Sequence, residues 1–431
     1  MKRKKSSGRE KPSVFSFKGK EMDIRKIGQK LDVATILEGS VRKADNRLRI
    51  TVQLINVADG YHLWSEEFER QLGDIFAIQD EISMAIVDKL RVELLDEEKE
   101  RLVQVETRNL EAYNCYLKGK WFWNKRGGEN LLKAIEFFQE AIKIDPEFAP
   151  AYAGLADAYL TFPGYSPRPP GEYYRLAKET TLKALEIDKE NVEANVVLAM
   201  INIYNWKWSE GVERLKKIIN RHPNNPLPRY FLSEVLLFQG NFRQAIEEKK
   251  RVLQLDPLSF VCQRNLGMTY FYAHEYEKAL SAFQKAAELN PASFWNLMYT
   301  ALTYFELADY EQASQYLEKA ASVPGTQNYS LPIRGLFLAR KGEKDKARKI
   351  LRELEVKYQS PQEYISPFFL AVLCVVLDEN DKAFNYLEEA YVSQDQWLHY
   401  VKVVSMFDAV RSDPRYQSLL QQMGLTPELI L

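Results

Sequence analysis

This chain has three cysteines, four histidines and almost no net charge in 431 residues, and each scarcity removes a class of function. Cys115, Cys262 and Cys374 are odd in number and far apart, so they provide neither a disulfide framework nor a metal-ligand spacing. Each lies in a stretch with helical patterning, which suits buried thiols in a reducing compartment. His62, His222, His274 and His399 are scattered, and no paired-histidine metal site is expected. His62 stands near Glu66 and Glu67, but on an alternating strand a surface histidine is the simpler reading.

Charge and hydropathy exclude further classes. Lys and Arg number 59 against 60 Asp and Glu, so no field of one sign points to nucleic acid or an anionic membrane. No segment approaches the ~20 apolar residues that span a bilayer; the longest run near the C-terminus, Phe368 to Leu377, fits a buried helix. The basic stretch Met1 to Lys11 has no apolar segment behind it and reads as a solvated tail rather than a secretory signal, which predicts a cytoplasmic protein. There is no Gly-rich phosphate loop with its Lys-Ser/Thr and no nucleophile elbow. The chain is expected not to be an enzyme and to need no metal or cofactor.

What the sequence does have is a period. A small residue returns every 34 residues at Ala177, Gly211, Ala245, Ala279, Ala313 and Ala347, with related positions at Ala134 and Ala383 set off by one insertion near each end. Four residues on stand Phe138, Leu215, Phe283, Leu317, Leu351 and Leu387. Seven residues on stand Ala141, Ala184, Ile218, Val252, Ala286, Ala320, Leu354 and Ala390. Offsets of four and seven share one helical face, so small, large and small residues alternate at a close helix contact. Twelve residues on, Pro146, Pro223, Pro257 and Pro291 end the helix, because proline lacks the N–H that continues the ladder. One helical hairpin per period, stacked into a solenoid, is the architecture that follows.

These residues resemble tetratricopeptide repeats. The unit from Phe260 places Leu266, Gly267, Tyr270, Ala279, Phe283, Ala286 and Pro291 at the family's signature positions, with Gln263 where tryptophan is preferred. Other units are degenerate, with Lys189, Gly325, Gln359 and Asp395 at the proline position. The resemblance implies a mainly α fold, a right-handed solenoid of about eight hairpins over residues 110–395 with C-terminal capping helices over 396–431. It also implies a surface offered to a protein or peptide.

The block before the repeats has another period. Met22 to Leu31 suits a short amphipathic helix and Val33 to Val41 a strand. After the turn residues Ala44, Asp45 and Asn46, the segment Leu48 to Val57 alternates Leu48, Ile50, Val52 and Leu54 against Arg49, Thr51 and Gln53. Asp59 and Gly60 lead to a third strand over Tyr61 to Phe68, and Asp74 opens a helix carrying Ile75, Ile78, Ile82, Ile86 and Leu90. Helix, three strands and helix make a small α/β layer. The stretches SFKGKEMDIRKIG, ILEGSVRK, LRITVQLINVADGYHLWSEEF and DIFAIQDEIS resemble the second half of the TolB amino-terminal-like domain. That domain precedes tetratricopeptide repeats in bacterial adenylate cyclase homologues, CadC-type regulators and some kinases. The resemblance implies a regulatory module with its effector upstream, a tail over 1–12, a partial α/β domain over 13–95 and a linker helix over 96–109. It starts within the domain, so either the chain is a truncated product or has an incorrect start, the favoured reading, or a partner supplies the missing layer; the open sheet edge is an expected place of association.

The register also names the residues lining the concave side, from positions two, five, nine and twelve of each unit. Leu227, Tyr230, Glu234 and Leu237 come first, then Val261, Arg264, Met268 and Phe271. Trp295, Met298, Leu302 and Phe305 follow, then Tyr329, Pro332, Leu336 and Ala339, then Ile365, Phe368, Val372 and Val375. Only Glu234 and Arg264 are charged, so this is no basic clamp for a carboxylate terminus. The expected partner-binding groove is Tyr230, Glu234, Arg264, Met268, Phe271, Trp295, Met298, Leu302, Phe305, Tyr329, Leu336 and Phe368. Covering about 400 Å² of such surface corresponds to about 10 kcal/mol gross, so something should sit there. Three guests remain open: the chain itself, through a tight superhelix or the segment Trp397 to Leu431; an apolar or amphipathic protein segment; or a small lipophilic ligand, which would make the chain a sensor. The aromatics Trp121, Phe122, Trp123, Trp206 and Trp208 are expected to pack between repeats, and the insertion Pro163 to Pro170 to be a surface loop.

Overall fold

The computed structural model describes residues 17, 22–31, 33–45, 47–71, 75–89, 107, 109–166, 168–360 and 364–425. The tail expected over 1–12 and nearly all of the linker expected over 96–109 lie outside the described residues. The chain divides into two compact units, Met1–Asn114 with Leu255–Ser259, and Cys115–Gln254 with Phe260–Leu431.

The first unit follows the alternation in the sequence. Helix α1 (Ile24–Leu31) leads to strands β1 (Thr35–Ala44), β2 (Arg47–Asn56) and β3 (His62–Gln71), then helix α2 (Ile75–Lys89). The strands form an antiparallel sheet in the order β1-β2-β3. Each hairpin turn takes a left-handed residue, Asp45 (φ 50°) in the first and Gly60 (φ 78°) in the second. Side chains of period two place Leu48, Val52 and Leu54 of β2 on one face, all buried. There Val52, Phe68 and Ile78 form a small core flanked by Ile50, Trp64 and Ile82. The other face is polar, with Arg49 paired to Glu67 at 3.3 Å and to Glu69 at 3.5 Å.

The second unit is a stack of hairpins: α3 (Leu110–Lys125) with α4 (Gly128–Ile144), α5 (Ala149–Thr161) with α6 (Pro170–Ile187), α7 (Val192–Tyr204) with α8 (Trp208–Arg221), and α9 (Pro226–Phe238) with α10 (Phe242–Leu255). Four more follow: α11 (Phe260–Tyr272) with α12 (Tyr276–Leu289), α13 (Phe294–Glu306) with α14 (Tyr310–Ala321), α15 (Gln327–Arg340) with α16 (Lys344–Tyr358), and α17 (Pro367–Val376) with α18 (Asn380–Val392). Two 3-10 turns, Gln396–Tyr400 and Ser405–Val410, and helix α19 (Pro414–Gln422) close the chain. Side-chain caps start several helices: Asn225 accepts from the Leu227 amide, Ser293 from Asn296 and Asp309 from Gln312.

The periodic alanines are the innermost atoms of this unit. Ala134, Ala177, Ala245, Ala279, Ala313, Ala347 and Ala383 have no exposed surface, and each sits on the second helix of its hairpin. The turn between the two helices is periodic as well. Trp206, Gly240, His274, Ala308, Gly342 and Asp378 all have φ between 59° and 86°, though only two of the six are glycine. Phe283 shows how closely the helices approach, since a Cβ on Gly267 would lie 2.5 Å from its ring.

Gly211, the single glycine in the alanine register, has its own reason. A Cβ there would meet the Ala199 carbonyl oxygen at 2.7 Å and the Ile203 Cδ1 at 2.6 Å, both on the preceding helix. Helix propensity alone would favour alanine by about 1 kcal/mol. Because the obstacle includes backbone that cannot rotate away, Gly211→Ala is expected instead to destabilise by about 1–3 kcal/mol. Thermal melts of the two proteins decide; a raised midpoint in the variant would refute the steric account.

Candidate functional site

The positions named from the register lie on the first helices of consecutive hairpins: Tyr230 and Glu234 on α9, Arg264, Met268 and Phe271 on α11, Trp295, Met298, Leu302 and Phe305 on α13, Tyr329 and Leu336 on α15, and Phe368 on α17. All are buried except Tyr230, which is half-buried. What covers them is the chain itself: neighbouring repeats, as where Phe305 stacks on Phe337 at 4.2 Å, and two segments from outside the repeat pattern.

The first cover is the insertion after α5, a 3-10 turn over Phe162–Tyr165. Read from sequence as a surface loop over Pro163 to Pro170, it is interior in its first part, with Phe162, Pro163 and Ser166 buried, and exposed at Arg168 and Pro169. Buried loop carbonyls need donors, and the polar ends of the groove aromatics supply them. The Tyr329 hydroxyl donates to the Pro163 carbonyl at 3.0 Å and the Ser166 carbonyl at 2.9 Å. Trp295 Nε1 donates to the Gly164 carbonyl at 3.0 Å, and Arg264 Nη1 to the Tyr165 hydroxyl at 2.9 Å.

The second cover is the segment after the last hairpin. Trp397 lies 4.4 Å from the Trp295 ring and 5.3 Å from Phe369. Tyr400 lies 4.9 Å from Phe238 and 5.4 Å from Tyr272, and Phe407 lies 5.6 Å from Phe368. The same segment reaches the turn of the α7/α8 hairpin. His399 sits among Trp206 at 4.6 Å, Tyr204 at 4.8 Å and Phe238 at 5.4 Å. Gln394 Nε2 donates to Asn205 Oδ1 at 2.7 Å, and Trp208 Nε1 to the Met423 carbonyl at 2.6 Å. Trp206 and Trp208 therefore do pack, but against the C-terminal cap rather than only between neighbouring repeats.

The two charged groove positions are both used structurally. Glu234 Oε1 takes a 2.5 Å hydrogen bond from buried Lys249, whose Nζ also donates to Ser233 Oγ at 3.0 Å. Glu234 Oε2 accepts from Asn265 Nδ2 at 3.1 Å, and the same amide donates to the Tyr230 hydroxyl at 2.9 Å. Burial shifts other groups here. It raises the Asp157 carboxyl to about 6, against the pull of Arg126 and Lys120. It lowers His399 to about 4, against hydrogen bonding that includes the Gln396 carbonyl. Burial also pushes the Cys374 thiol up to about 12, which leaves it a poor nucleophile. Cys115 is half-buried and Cys262 buried.

Among the described residues no group of His, Cys, Asp or Glu is placed to hold a metal ion, and no helix is long and apolar enough to cross a membrane. His62 is exposed on β3. A polar cleft beside α7 and α8 is lined by Asn195, Glu213, Arg214, Lys217 and Arg221 among others. Two of its cations are ion-paired, Lys217 with Glu213 and Arg221 with Glu190, each at 2.7 Å, and Arg214 donates to the neutral Asn195 Oδ1 at 2.7 Å.

Comparison with known proteins agrees with the hairpin geometry. Two stretches, residues 262–293 and 301–325, match models described as tetratricopeptide repeat. The hairpins are tetratricopeptide repeats. Repeats of this kind are protein-interaction scaffolds, and they bind peptides or proteins. A curated relative, "Putative adenylate cyclase 3" of Rhizobium meliloti (strain 1021), is 40% identical over 149 residues, 35% of this chain and 25% of that protein. The chain thus corresponds to about a quarter of that relative's length. Among solved structures, a monomeric IFIT1 mutant with Gppp-AAAA is 17% identical, covers 81% of this chain and 77% of its own, and gives a TM-score of 0.51. Pseudomonas aeruginosa PilF is 22% identical over 51% of this chain and 96% of its own, with a TM-score of 0.38. At these identities the likeness concerns the fold.

Proposed function

We propose that this chain is a non-catalytic interaction module of a bacterial signalling protein, acting in the cytoplasm, and that its apolar stripe takes aromatic-rich protein segments. The observation that carries this reading is the occupant already seated there. A short 3-10 segment with Trp397 and Tyr400 lies on Trp295, Phe369, Phe238 and Tyr272. The cap is thus a worked example of the guest chemistry: extended or singly turned backbone, two or three aromatic anchors and few charges. A partner segment of the same kind would compete with the cap for Trp295, Phe368 and Phe369. This supports a protein guest over a lipophilic small molecule, because the stripe is matched to rings with polar tips and to backbone carbonyls.

Partial identity to a protein named as a cyclase supports the signalling context, with the chain standing for a regulatory part and the domains at 13–95 and 110–395 as read from sequence. The TolB-like resemblance of the first unit belongs to the same reading. Against catalysis by this chain stands the use of its buried charges: Glu234 is held by Lys249 and Asn265, and Arg264 by Tyr165 and Asn265.

Competition gives the test. In a Trp397→Ala/Tyr400→Ala variant, a synthetic peptide of residues 395–410 should bind and raise the melting temperature, while the wild type, already occupied, should bind it at least about tenfold more weakly. A folded variant that ignores the peptide would show that the stripe accepts its guest only as part of its own chain.

A further inference from the structure

The open side of the first unit carries an inference independent of the groove. In the three-stranded sheet β1 and β3 are the edges among the described residues, and the two are built differently. β3 bears Glu66, Glu67 and Glu69, all exposed, a run of like charge that guards an edge against pairing with itself. β1 has Gly39, Ser40 and Val41 at its centre and charges of both signs toward its flanks, Glu38 on one side and Arg42 and Lys43 on the other.

The face shared by the strands is unevenly covered. Over β2 and β3 it is closed by Val52, Phe68 and Ile78. Over β1 the same face leaves Leu37 at 43% and Val41 at 64% exposure. The polar face of β1 is unsatisfied too. Arg42 stands directly opposite Arg49 in the ladder, and Glu38 opposite Gln53. Arg49 is engaged with Glu67 and Glu69 of β3. Among the described residues neither Arg42 nor Glu38 forms an ion pair, and like charges set opposite each other weaken a sheet.

We propose that β1 is a dimerisation edge, at which two copies of the chain pair β1 with β1 antiparallel about Ser40 to make a six-stranded sheet. In that register Glu38 lies opposite the partner's Arg42, and symmetry makes the contact twice. Each Arg42 gains a carboxylate in place of its like-charged neighbour. Val41 lies opposite the partner's Gly39, which leaves it space, and Leu37 lies beside the aliphatic stem of the partner's Lys43. Shifting the register by one residue would set Arg42 against Leu37 and Glu38 against Val41, losing the charge match.

The test is the mass of the full chain in solution over a concentration series, by light scattering or sedimentation. The expected species at high concentration has twice the monomer mass. Glu38→Arg and Arg42→Glu, both at exposed positions, should each raise the dimerisation midpoint by about tenfold, since the pair occurs twice. The combined E38R/R42E protein should return to within about threefold of wild type, because the pair is restored in reverse. A monomer at every concentration would overturn the proposal. So would a dimer indifferent to the single reversals, a double variant that fails to recover, or assemblies that grow beyond two copies, which would mean head-to-tail pairing of β1 with β3.

Discussion

Replacing Glu234 by alanine is expected to cost about 3–5 kcal/mol of stability, far more than any single exposed ion pair in this chain. The reason lies in its partner. Lys249 is fully buried, with its ammonium 2.5 Å from Glu234 Oε1 and, among the described residues, one further side-chain acceptor, the Ser233 hydroxyl at 3.0 Å. Lys249 stands four residues after the register alanine Ala245, where six other repeats carry Phe or Leu. Losing Glu234 would strand a charge at a core position. Replacing both, as Glu234→Leu with Lys249→Leu, should recover to within about 1 kcal/mol of wild type, because the apolar pair follows the other repeats. Urea unfolding of the three proteins measures this. A single-variant loss below about 1 kcal/mol, the ordinary worth of an exposed pair, would mean that Lys249 reaches water.

That lysine marks how far the sequence could be read. The hairpins, their order and their innermost alanines follow from a local period, because helix contacts within a repeat are fixed by offsets of four and seven. The strands at 35–44, 47–56 and 62–71 follow from alternation and turn residues for the same reason. The register also named a stripe, Trp295, Met298, Tyr329 and Phe368, whose residues stand buried on the first helices of their hairpins. Its occupancy was not decided by the register, which left the chain itself, a partner and a ligand as open guests. Tyr329 meets the insertion 163 and 166 residues away in sequence, and Trp208 meets Met423 at a separation of 215. Contacts at that range depend on the accumulated rotation of the stack, which no single repeat encodes. One signal was available: Pro163 to Pro170 is richer in proline than a solvated loop requires, and Trp397 to Phe407 keeps its aromatics after the repeat pattern has ended. Lys249 was a second, because a lysine at a core offset demands a carboxylate across the hairpin.

Acidification is expected to act on this fold through two buried groups of opposite sign. His399 has its pKa lowered from 6.5 to about 4, so below pH 6.5 the unfolded chain takes up a proton that the folded chain refuses until about pH 4. Stability is lost across that window, by about 3 kcal/mol in all. Asp157 has its pKa raised from 3.8 to about 6. Its folded form binds a proton first, so stability is gained as pH falls from about 6 to 3.8, again by about 3 kcal/mol. In the wild type the two nearly cancel, and the variants separate them. Relative to wild type, His399→Phe should gain about 3 kcal/mol between pH 6.5 and 4, while Asp157→Asn should lose a similar amount. Parallel stability curves for all three proteins would mean that neither site is dry. The two groups also sit in different places, Asp157 within α5 and His399 in the cover, so cancellation in the total does not protect the cap. Hydrogen exchange at pH 4 should find residues 396–400 less protected in the wild type than in His399→Phe, with the repeat helices unchanged. Equal protection would detach His399 from the seating of the cap.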